Sequence, residues 1–254
     1  MTLVNDKAMT LVNDKAQGRG GKHVLAGLLA ALVVAPGSAD GSVSTTSASS
    51  GATGFPSAAV ILTTRAVAHA SPRATSRVVG VFPQFRRDFR PTTLLVVGQR
   101  RDARGSRWLR VTLPSRPNGR TGWVRARAVR LRPVSRSVLI DLSARKLRIV
   151  ERGKTRFATR VAIGRRGAET PRGLFYVTAA FRPTERYLGS YAFETSAYSK
   201  LSDWPGGGIV GLHGTSTPSL LGKAVSHGCV RMSNAAALVL KRLAPPGTPV
   251  RIVR

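Results

Sequence analysis

The chain has 254 residues, 42% of them hydrophobic, including three Trp, eight Phe and four Tyr. This apolar content excludes a wholly disordered chain, and the length allows one large domain or two small ones. The net charge of +30, from 41 Lys and Arg against 11 Asp and Glu, predicts attraction to a polyanion: nucleic acid, an anionic membrane surface or an acidic cell-wall polymer. Because no nucleic-acid-reading motif is present and the basic residues are scattered, we expect no nucleic-acid partner.

Residues 1–39 have the pattern of a secretory signal peptide. The first sixteen residues are one octapeptide written twice, which leaves the true translation start open. A basic stretch then precedes an apolar run from Val24 to Ala35 and small residues up to Ala39. A bilayer span needs about 20 apolar residues, so we expect cleavage rather than retention as an anchor. The pattern predicts an exported monomer in the cell wall or periplasmic space, with no stable membrane span.

Residues 40–57 are rich in Ser, Thr, Gly and Ala and predict a flexible linker. Residues 58–133 then alternate short apolar runs with turn residues, which predicts a small β domain. The predicted strands are Ala59–Thr63, Val78–Phe82, Thr93–Val97, Trp108–Leu113 and Thr121–Ala126. The segments around Trp108 and Trp123, joined by an Asn-Gly turn, resemble the last hairpin of a bacterial SH3-like barrel. Both Trp side chains are interpreted as core residues, with stacking on a glycan as the alternative.

Residues 134–254 predict a second, mainly β domain, a sandwich with one or two helices. The predicted strands are Ser137–Leu142, Lys146–Glu151, Thr155–Ile163, Gly173–Ala180, Gly208–Leu212 and Thr248–Val253. Asn234–Leu243 has the composition of a helix, with Ser233 or Asn234 as its N-cap. The aromatic residues Tyr187, Tyr191 and Phe193 either belong to the core or line a flap over a substrate.

Cys229 is the only cysteine, so it has no partner for an intramolecular disulfide in an exported protein. It lies in Ser226-His-Gly-Cys-Val-Arg-Met, and His213 precedes it by sixteen residues at a predicted strand end. A neighbouring imidazole and positive charge can lower the pKa of a thiol from about 8.5 into the range of roughly 3.5–7.5. This pattern predicts a thiolate nucleophile at Cys229 with His213 as its general base.

The neighbouring residues suggest supporting roles. Beyond Glu194 the only carboxylate side chain is Asp203, so we expect the backbone carbonyl of Gly214 to orient the imidazole. The backbone N–H groups of Gly228 and Cys229 are expected to bind an oxyanion, and Arg231 a substrate carboxylate.

Two assignments in this segment stay open. His227 either supports the loop or takes part in the chemistry. A zinc site built on Cys229, His213 and His227 is the alternative to catalysis, but no fourth ligand is evident, so no metal or organic cofactor is expected.

The order His213-Gly-Thr, a spacer, then Ser226-His-Gly-Cys-Val-Arg-Met resembles the signature of the L,D-transpeptidase catalytic domain of bacterial cell walls. Thr170-Pro-Arg-Gly173 resembles a loop of the same family. The resemblance spans residues 135–254, and the His-before-Cys order differs from papain-like proteases.

The resemblance implies an enzyme that acts on peptidoglycan stem peptides. Cys229 attacks the carbonyl of the third stem residue, expels the terminal D-alanine and forms a thioester, which an amine of a neighbouring stem then resolves. Ser226, His227 and Gly228 would shape the oxyanion site. The alternatives are an L,D-carboxypeptidase, in which water replaces the amine, and a non-catalytic wall-binding protein.

Overall fold

The computed structural model describes residues 56–203 and 207–254, which are mainly β with one α helix. The predicted signal segment and almost all of the predicted linker lie outside the described residues. Within the described ranges, no helix is long and apolar enough to cross a membrane. The fold class predicted from the sequence is therefore confirmed as mainly β, while the SH3-like topology stays a prediction.

The first seven strands form one sheet in the order β3-β2-β6-β5-β4-β1-β7. Their bounds are β1 Ser57–Ile61, β2 Arg65–His69, β3 Val78–Pro83, β4 Thr93–Arg101, β5 Arg107–Thr112, β6 Thr121–Arg125 and β7 Val129–Pro133. Alternating side chains such as Leu109 and Val111 of β5 are fully buried, as a sheet with one apolar face requires. Trp108 is also fully buried, with its indole N–H donating to Asp102, so it is a core residue; Trp123 is half-buried.

The second sheet has eight strands in the order β10-β9-β8-β17-β12-β13-β14-β16. Their bounds are β8 Arg136–Asp141, β9 Lys146–Glu151, β10 Lys154–Arg160, β12 Gly173–Phe181, β13 Ala192–Tyr198, β14 Ile209–His213, β16 Val230–Arg231 and β17 Pro249–Val253. Two short strands, β11 Ile163–Gly164 and β15 Ala224–Ser226, pair separately and in parallel. The helix α1, Asn234–Leu243, begins where the Ser233 hydroxyl accepts a hydrogen bond from the Ala236 N–H.

The core of the second sheet includes Phe193, which is buried, while Tyr191 packs against that core and Tyr187 is exposed. The last strand in sequence, β17, lies inside the sheet, parallel to β8 and antiparallel to β12. The short strand β16 lies at the opposite edge, parallel to β14. This edge brings together the two segments that carry His213 and Cys229.

The described residues belong to one compact unit, Ser50–Arg254, so the two sheets pack on each other. Tyr176 of β12 is fully buried in the apolar cluster of the first sheet. Arg86 forms an ion pair with Glu194 of β13 at 2.8 Å, and Asn118 donates to the Tyr198 carbonyl at 2.7 Å. Apolar burial and polar contacts therefore both join the sheets.

Candidate active site

Cys229 lies in the loop between β15 and β16 and is half-buried, with a free thiol. Its Sγ accepts a hydrogen bond from the Gly211 N–H in β14 at 3.3 Å. The parallel register pairs Leu212 with Val230, so the residues before them, Gly211 and Cys229, lie side by side. The sulfur is thus held against the middle of β14.

His213 ends β14 and is buried. Its Nδ1 lies 2.6 Å from the carbonyl oxygen of Gly214, the contact expected from the sequence. A carbonyl only accepts hydrogen bonds, so Nδ1 carries the proton and Nε2 keeps its lone pair. The imidazole is therefore set up as a base at Nε2.

The thiol and the imidazole border the same empty space over Gly211. A Cβ placed on Gly211 would lie 3.7 Å from the Sγ of Cys229 and 3.8 Å from the Cδ2 of His213. Glycine in a strand interior often marks such a close approach. Sequence reasoning did not select Gly211, although that general signal was available.

The sequence predicted a preformed thiolate at Cys229, but the pKa values of Cys229 and His213 in the structure do not favour one. Burial raises the pKa of the Cys229 thiol, and the Gly211 N–H and the charge of Arg231 offset this only in part. Burial also lowers the pKa of His213 to about 4, against the opposing effect of the Gly214 carbonyl. The resting pair at neutral pH is a neutral thiol beside a neutral imidazole.

The loop before Cys229 is closed by its own hydrogen bonds. The Ser226 hydroxyl donates to the Cys229 carbonyl at 2.5 Å and accepts from the Gly228 N–H at 3.2 Å. The Gly228 N–H is therefore engaged within the loop, contrary to its expected role as an oxyanion donor. Gly228 has a φ of +119° and packs on Ser199, where a Cβ would come within 2.8 Å of the Ser199 Cβ.

Thr170, from the Thr-Pro-Arg-Gly segment, supports this loop from behind. Its hydroxyl donates to the Gly228 carbonyl at 2.8 Å and accepts from the Gly164 N–H at 2.9 Å. Thr170 is buried, so both groups depend on it for hydrogen bonding. The conformation of the residue before Cys229 is thereby tied to β11.

Arg231 lies in β16, and its charge lowers the pKa of Cys229, His213 and His227. The Nε of Arg231 is buried and has no hydrogen-bond partner among the described residues. A buried donor without a partner is costly unless a ligand supplies the acceptor. His227 is half-buried, and burial followed by the charges of Arg165 and Arg231 lowers its pKa.

Asn234 is a positioning residue that sequence reasoning treated only as a possible cap. Its side-chain oxygen accepts from the Ser190 N–H at 3.0 Å and from the Thr215 N–H at 3.2 Å. It therefore links the turn before β13, at Ser190, to Thr215, the residue that follows the His213-Gly214 peptide. These two segments are separate in the sequence and meet only in the folded chain. Across the described ranges, no group of three or more His, Cys, Asp or Glu side chains is arranged to hold a metal ion.

Comparison with known proteins agrees with this geometry. Residues 135–252 match the family model of the L,D-transpeptidase catalytic domain, YkuD. This part of the chain, somewhat less than half of it, is similar to an L,D-transpeptidase catalytic domain. The match includes His213, Cys229 and the segments that hold them.

Two curated relatives and one solved structure are similar to the chain. The proteins named L,D-transpeptidase YkuD in Bacillus licheniformis and Bacillus subtilis are 34% and 30% identical over 45% and 46% of this chain. The chain spans 64% and 65% of their lengths, less than two thirds of each. L,D-transpeptidase 3 from Mycobacterium tuberculosis matches with a TM-score of 0.43 and 14% identity, over 77% of this chain and 99% of that chain.

Proposed function

We propose that the protein is a peptidoglycan L,D-transpeptidase that links the third residues of two stem peptides through a thioester on Cys229. The observation that carries this proposal is the common space over Gly211, bordered by the Cys229 sulfur and the His213 ring. The bond from His213 Nδ1 to the Gly214 carbonyl supports Nε2 as the proton acceptor.

In the first step the thiol proton passes to Nε2 of His213 while sulfur attacks the carbonyl of the third stem residue. The Cys229 N–H is the candidate donor to the resulting oxyanion, and the unpartnered Nε of Arg231 is the candidate donor to the donor-peptide carboxylate. His213 then returns its proton to the departing amine as the C–N bond breaks. The product is a thioester and a free D-alanine.

In the second step an amine of another stem attacks the thioester and gives its proton to His213. The C–S bond breaks, and the sulfur recovers a proton from the imidazole. Water in place of the amine would give an L,D-carboxypeptidase on the same stem peptides. The family match suggests a cell-wall or periplasmic location, and the segment from Arg19 to Ala39 supports export.

Intact-mass analysis tests the proposal. Incubation of the full chain with a tetrapeptide-bearing muropeptide or a carbapenem should add one acyl group to the wild type and none to Cys229→Ala. His213→Ala should slow acylation by about 10²–10⁴-fold, the usual contribution of a general base. Cross-linked dimers indicate transfer, and free tripeptide alone indicates hydrolysis. Unchanged stem-peptide chemistry in Cys229→Ala would exclude Cys229 as the nucleophile. Absence of both acylation and stem-peptide chemistry in the wild type would exclude the enzyme proposal and favour a wall-binding protein.

A further inference from the structure

Exposed apolar side chains are concentrated at one edge of the first sheet. Among the described residues, eight large hydrophobic side chains are exposed, and four of them lie within one short segment: Val78, Val81, Phe85 and Phe89. The two valines belong to β3, the edge strand, and the two phenylalanines to the loop between β3 and β4. Phe89 is the most exposed of the eight, at 88%. These four residues, here called the edge patch, have the character of an interaction site, because exposed apolar residues are otherwise scattered singly.

The backbone conformation of Phe89 is unusual for a bulky residue. The Phe89 N–H donates to the Arg86 carbonyl at 3.0 Å, and the Arg86 N–H donates to the Arg90 carbonyl at 2.8 Å, which closes a tight hairpin loop. Phe89 has a φ of +60° and occupies the left-handed position of this loop, where Gly or Asn is usual. The turn itself does not require the phenyl ring, and a residue held in a strained conformation points to a function.

The loop that carries Phe89 is attached to the second sheet. The Arg86 side chain pairs with Glu194 of β13 at 2.8 Å, and the Arg90 side chain donates to the Ala180 carbonyl of β12. These contacts fix the position of the phenyl ring before any partner arrives. A surface that is ordered in advance loses little conformational entropy on binding.

The charges around the edge patch are almost all positive. Residues 57–133 contain 17 Arg, no Lys and no Glu, and only two Asp. Arg87 and Arg90 of the loop are exposed, as is Arg65 of β2, which pairs with β3. The only carboxylate of the loop, Asp88, is already engaged in an ion pair within the loop. The edge patch therefore combines apolar rings with surrounding cations.

We propose that the edge patch binds the surface of an anionic lipid bilayer, an interaction that goes beyond the proposed chemistry at Cys229. Phenyl rings enter the boundary between head groups and acyl chains, while arginines pair with lipid phosphates. A sugar needs hydrogen-bond partners, which a phenyl ring lacks. A soluble polyanion would leave the apolar side chains in water, and a second copy of the chain would bring the same strongly positive charge.

Contact through the edge patch also orients the candidate active site. Glu194, the partner of Arg86, lies opposite Gly211 in the register of β13 and β14. Gly211 borders both Cys229 and His213. The loop is thus fixed to the strand next to β14, and binding to a bilayer holds the candidate active site close to the lipid surface.

Vesicle binding tests this assignment. The protein used is residues 40–254, the exported form predicted from the sequence, because the apolar run from Val24 to Ala35 would bind lipid by itself. It contains all of the compact unit Ser50–Arg254. Co-sedimentation compares vesicles of phosphatidylcholine with vesicles of phosphatidylcholine and phosphatidylglycerol in equal parts. We expect binding to the anionic vesicles and little to the neutral ones.

Phe89→Asn separates the apolar contribution from the net charge. Asn tolerates the left-handed backbone, so the substitution removes the ring and keeps both the loop and the charge. It should lower the partition coefficient on anionic vesicles by about tenfold or more, as the loss of one buried phenyl ring predicts. The matched control is Leu238→Gln on α1, also an exposed apolar residue changed to an uncharged one, and its effect should stay within about twofold.

Equal affinities of the wild type and Phe89→Asn for anionic vesicles, or no vesicle binding by the wild type, would overturn the proposal. Weaker binding of Phe89→Asn to poly(glycerol phosphate), with vesicle binding unchanged, would assign the edge patch to a soluble polyanion instead. Acylation by a carbapenem, measured in parallel, reports on Cys229. Equal acylation of both proteins shows that Phe89→Asn is folded, and absent acylation of the wild type removes the proposed function without changing the vesicle result.

Discussion

At the scale of single residues, the resting Cys229–His213 pair is neutral. Burial disfavours both the thiolate and the imidazolium, and among the described residues no side-chain carboxylate is hydrogen-bonded to the ring to compensate. The base is nevertheless available, because a pKa of about 4 keeps His213 unprotonated at any pH well above that value. Nucleophile activation therefore requires proton transfer during attack rather than a standing ion pair.

Because the pair is neutral at rest, the rates of alkylation and of acylation of Cys229 should depend on pH in different ways. Alkylation by iodoacetamide, which needs the thiolate, should have a midpoint above the ordinary thiol value of about 8.5 and fall about tenfold per pH unit below it. Acylation by a carbapenem should persist to about pH 5, because His213 still accepts the proton there. Both rates are measured by intact mass; rapid alkylation at pH 6 would instead indicate a preformed thiolate.

The empty space over Gly211 predicts a strong effect of one methyl group. Gly211→Ala should place its Cβ between sulfur and imidazole and lower the acylation rate by about 10²-fold, as small displacements of reacting groups do. The control is Gly98→Ala in β4, where the nearest atom to the new Cβ is 4.0 Å away. Equal acylation rates in the two variants would show that the space is not used in attack.

The sequence points to the proposed reacting residues more readily than to their surroundings. Cys229 stands out because it is the only cysteine, and His213 because it precedes Cys229 by sixteen residues; the Gly214 carbonyl accepts the hydrogen bond from the His213 ring. The pKa values of the pair depend on burial by distant segments, which local sequence does not contain. For the same reason, the roles of Gly211 and Asn234 become visible only after β14, β16 and α1 are assembled.

At the scale of elements, the loop that carries Cys229 is held by β11 and by the residues just before β12. Thr170 supplies the donor to the Gly228 carbonyl and the acceptor for the Gly164 N–H. This segment therefore adds one hydrogen bond to the two that Ser226 makes within the loop before Cys229.

Thr170→Val keeps the side-chain shape and removes both bonds. We expect it to lower the free energy of unfolding by about 1–3 kcal/mol, the cost of leaving buried polar groups unpaired. Thr63→Val is the control, because its exposed hydroxyl bonds only to the Arg65 carbonyl, and its effect should stay within about 0.5 kcal/mol. Urea unfolding monitored by circular dichroism measures both, and similar values for the two would contradict the role of Thr170.

Elements with a strong local sequence pattern were predicted accurately, and elements with a weak pattern were missed. The bounds of β9 and α1 match the prediction, because alternation and helix capping are local signals. Five strands were not predicted: β2, β7, β13 and the short β15 and β16; the single strand predicted over Thr155–Ile163 is divided between β10 and the start of β11. Arg130 and Arg132 interrupt the apolar pattern of β7, and β2 has only the short apolar run Ala66–Ala68. β13 is an interior strand stabilised by its neighbours β12 and β14 rather than by its own alternation.

At the scale of the whole molecule, the two sheets share one packed interior. Tyr176 belongs to β12 yet is buried in the cluster of the first sheet, and the Arg86–Glu194 ion pair crosses the same seam. The predicted domain boundary at residue 133 therefore separates two sheets that bury each other's surface. The loop between β5 and β6 also reaches the second sheet, where Asn118 exchanges two hydrogen bonds with the backbone of Tyr198.

The buried neutral imidazole also affects global stability. Between pH 6.5 and about 4 the unfolded chain protonates His213 and the native chain does not, so stability should fall with pH in that window, by up to about 3 kcal/mol. Asp102, Asp141 and Glu169, whose pKa values are lowered by hydrogen bonds, add losses only below about pH 4. Urea midpoints at pH 7 and 4.5 should therefore differ more for the wild type than for His213→Gln, and an equal difference would contradict the burial argument.

Because β17 lies inside the second sheet, that sheet cannot be completed before β17 has folded. Residues 249–253 join β8 to β12, so a nascent or partly exported chain that stops before them has two unjoined groups of strands. The edge that carries His213 and Cys229 then lacks its connection to half of the sheet. We therefore expect the proposed activity only after residues 249–253 have joined the two groups of strands, late in folding.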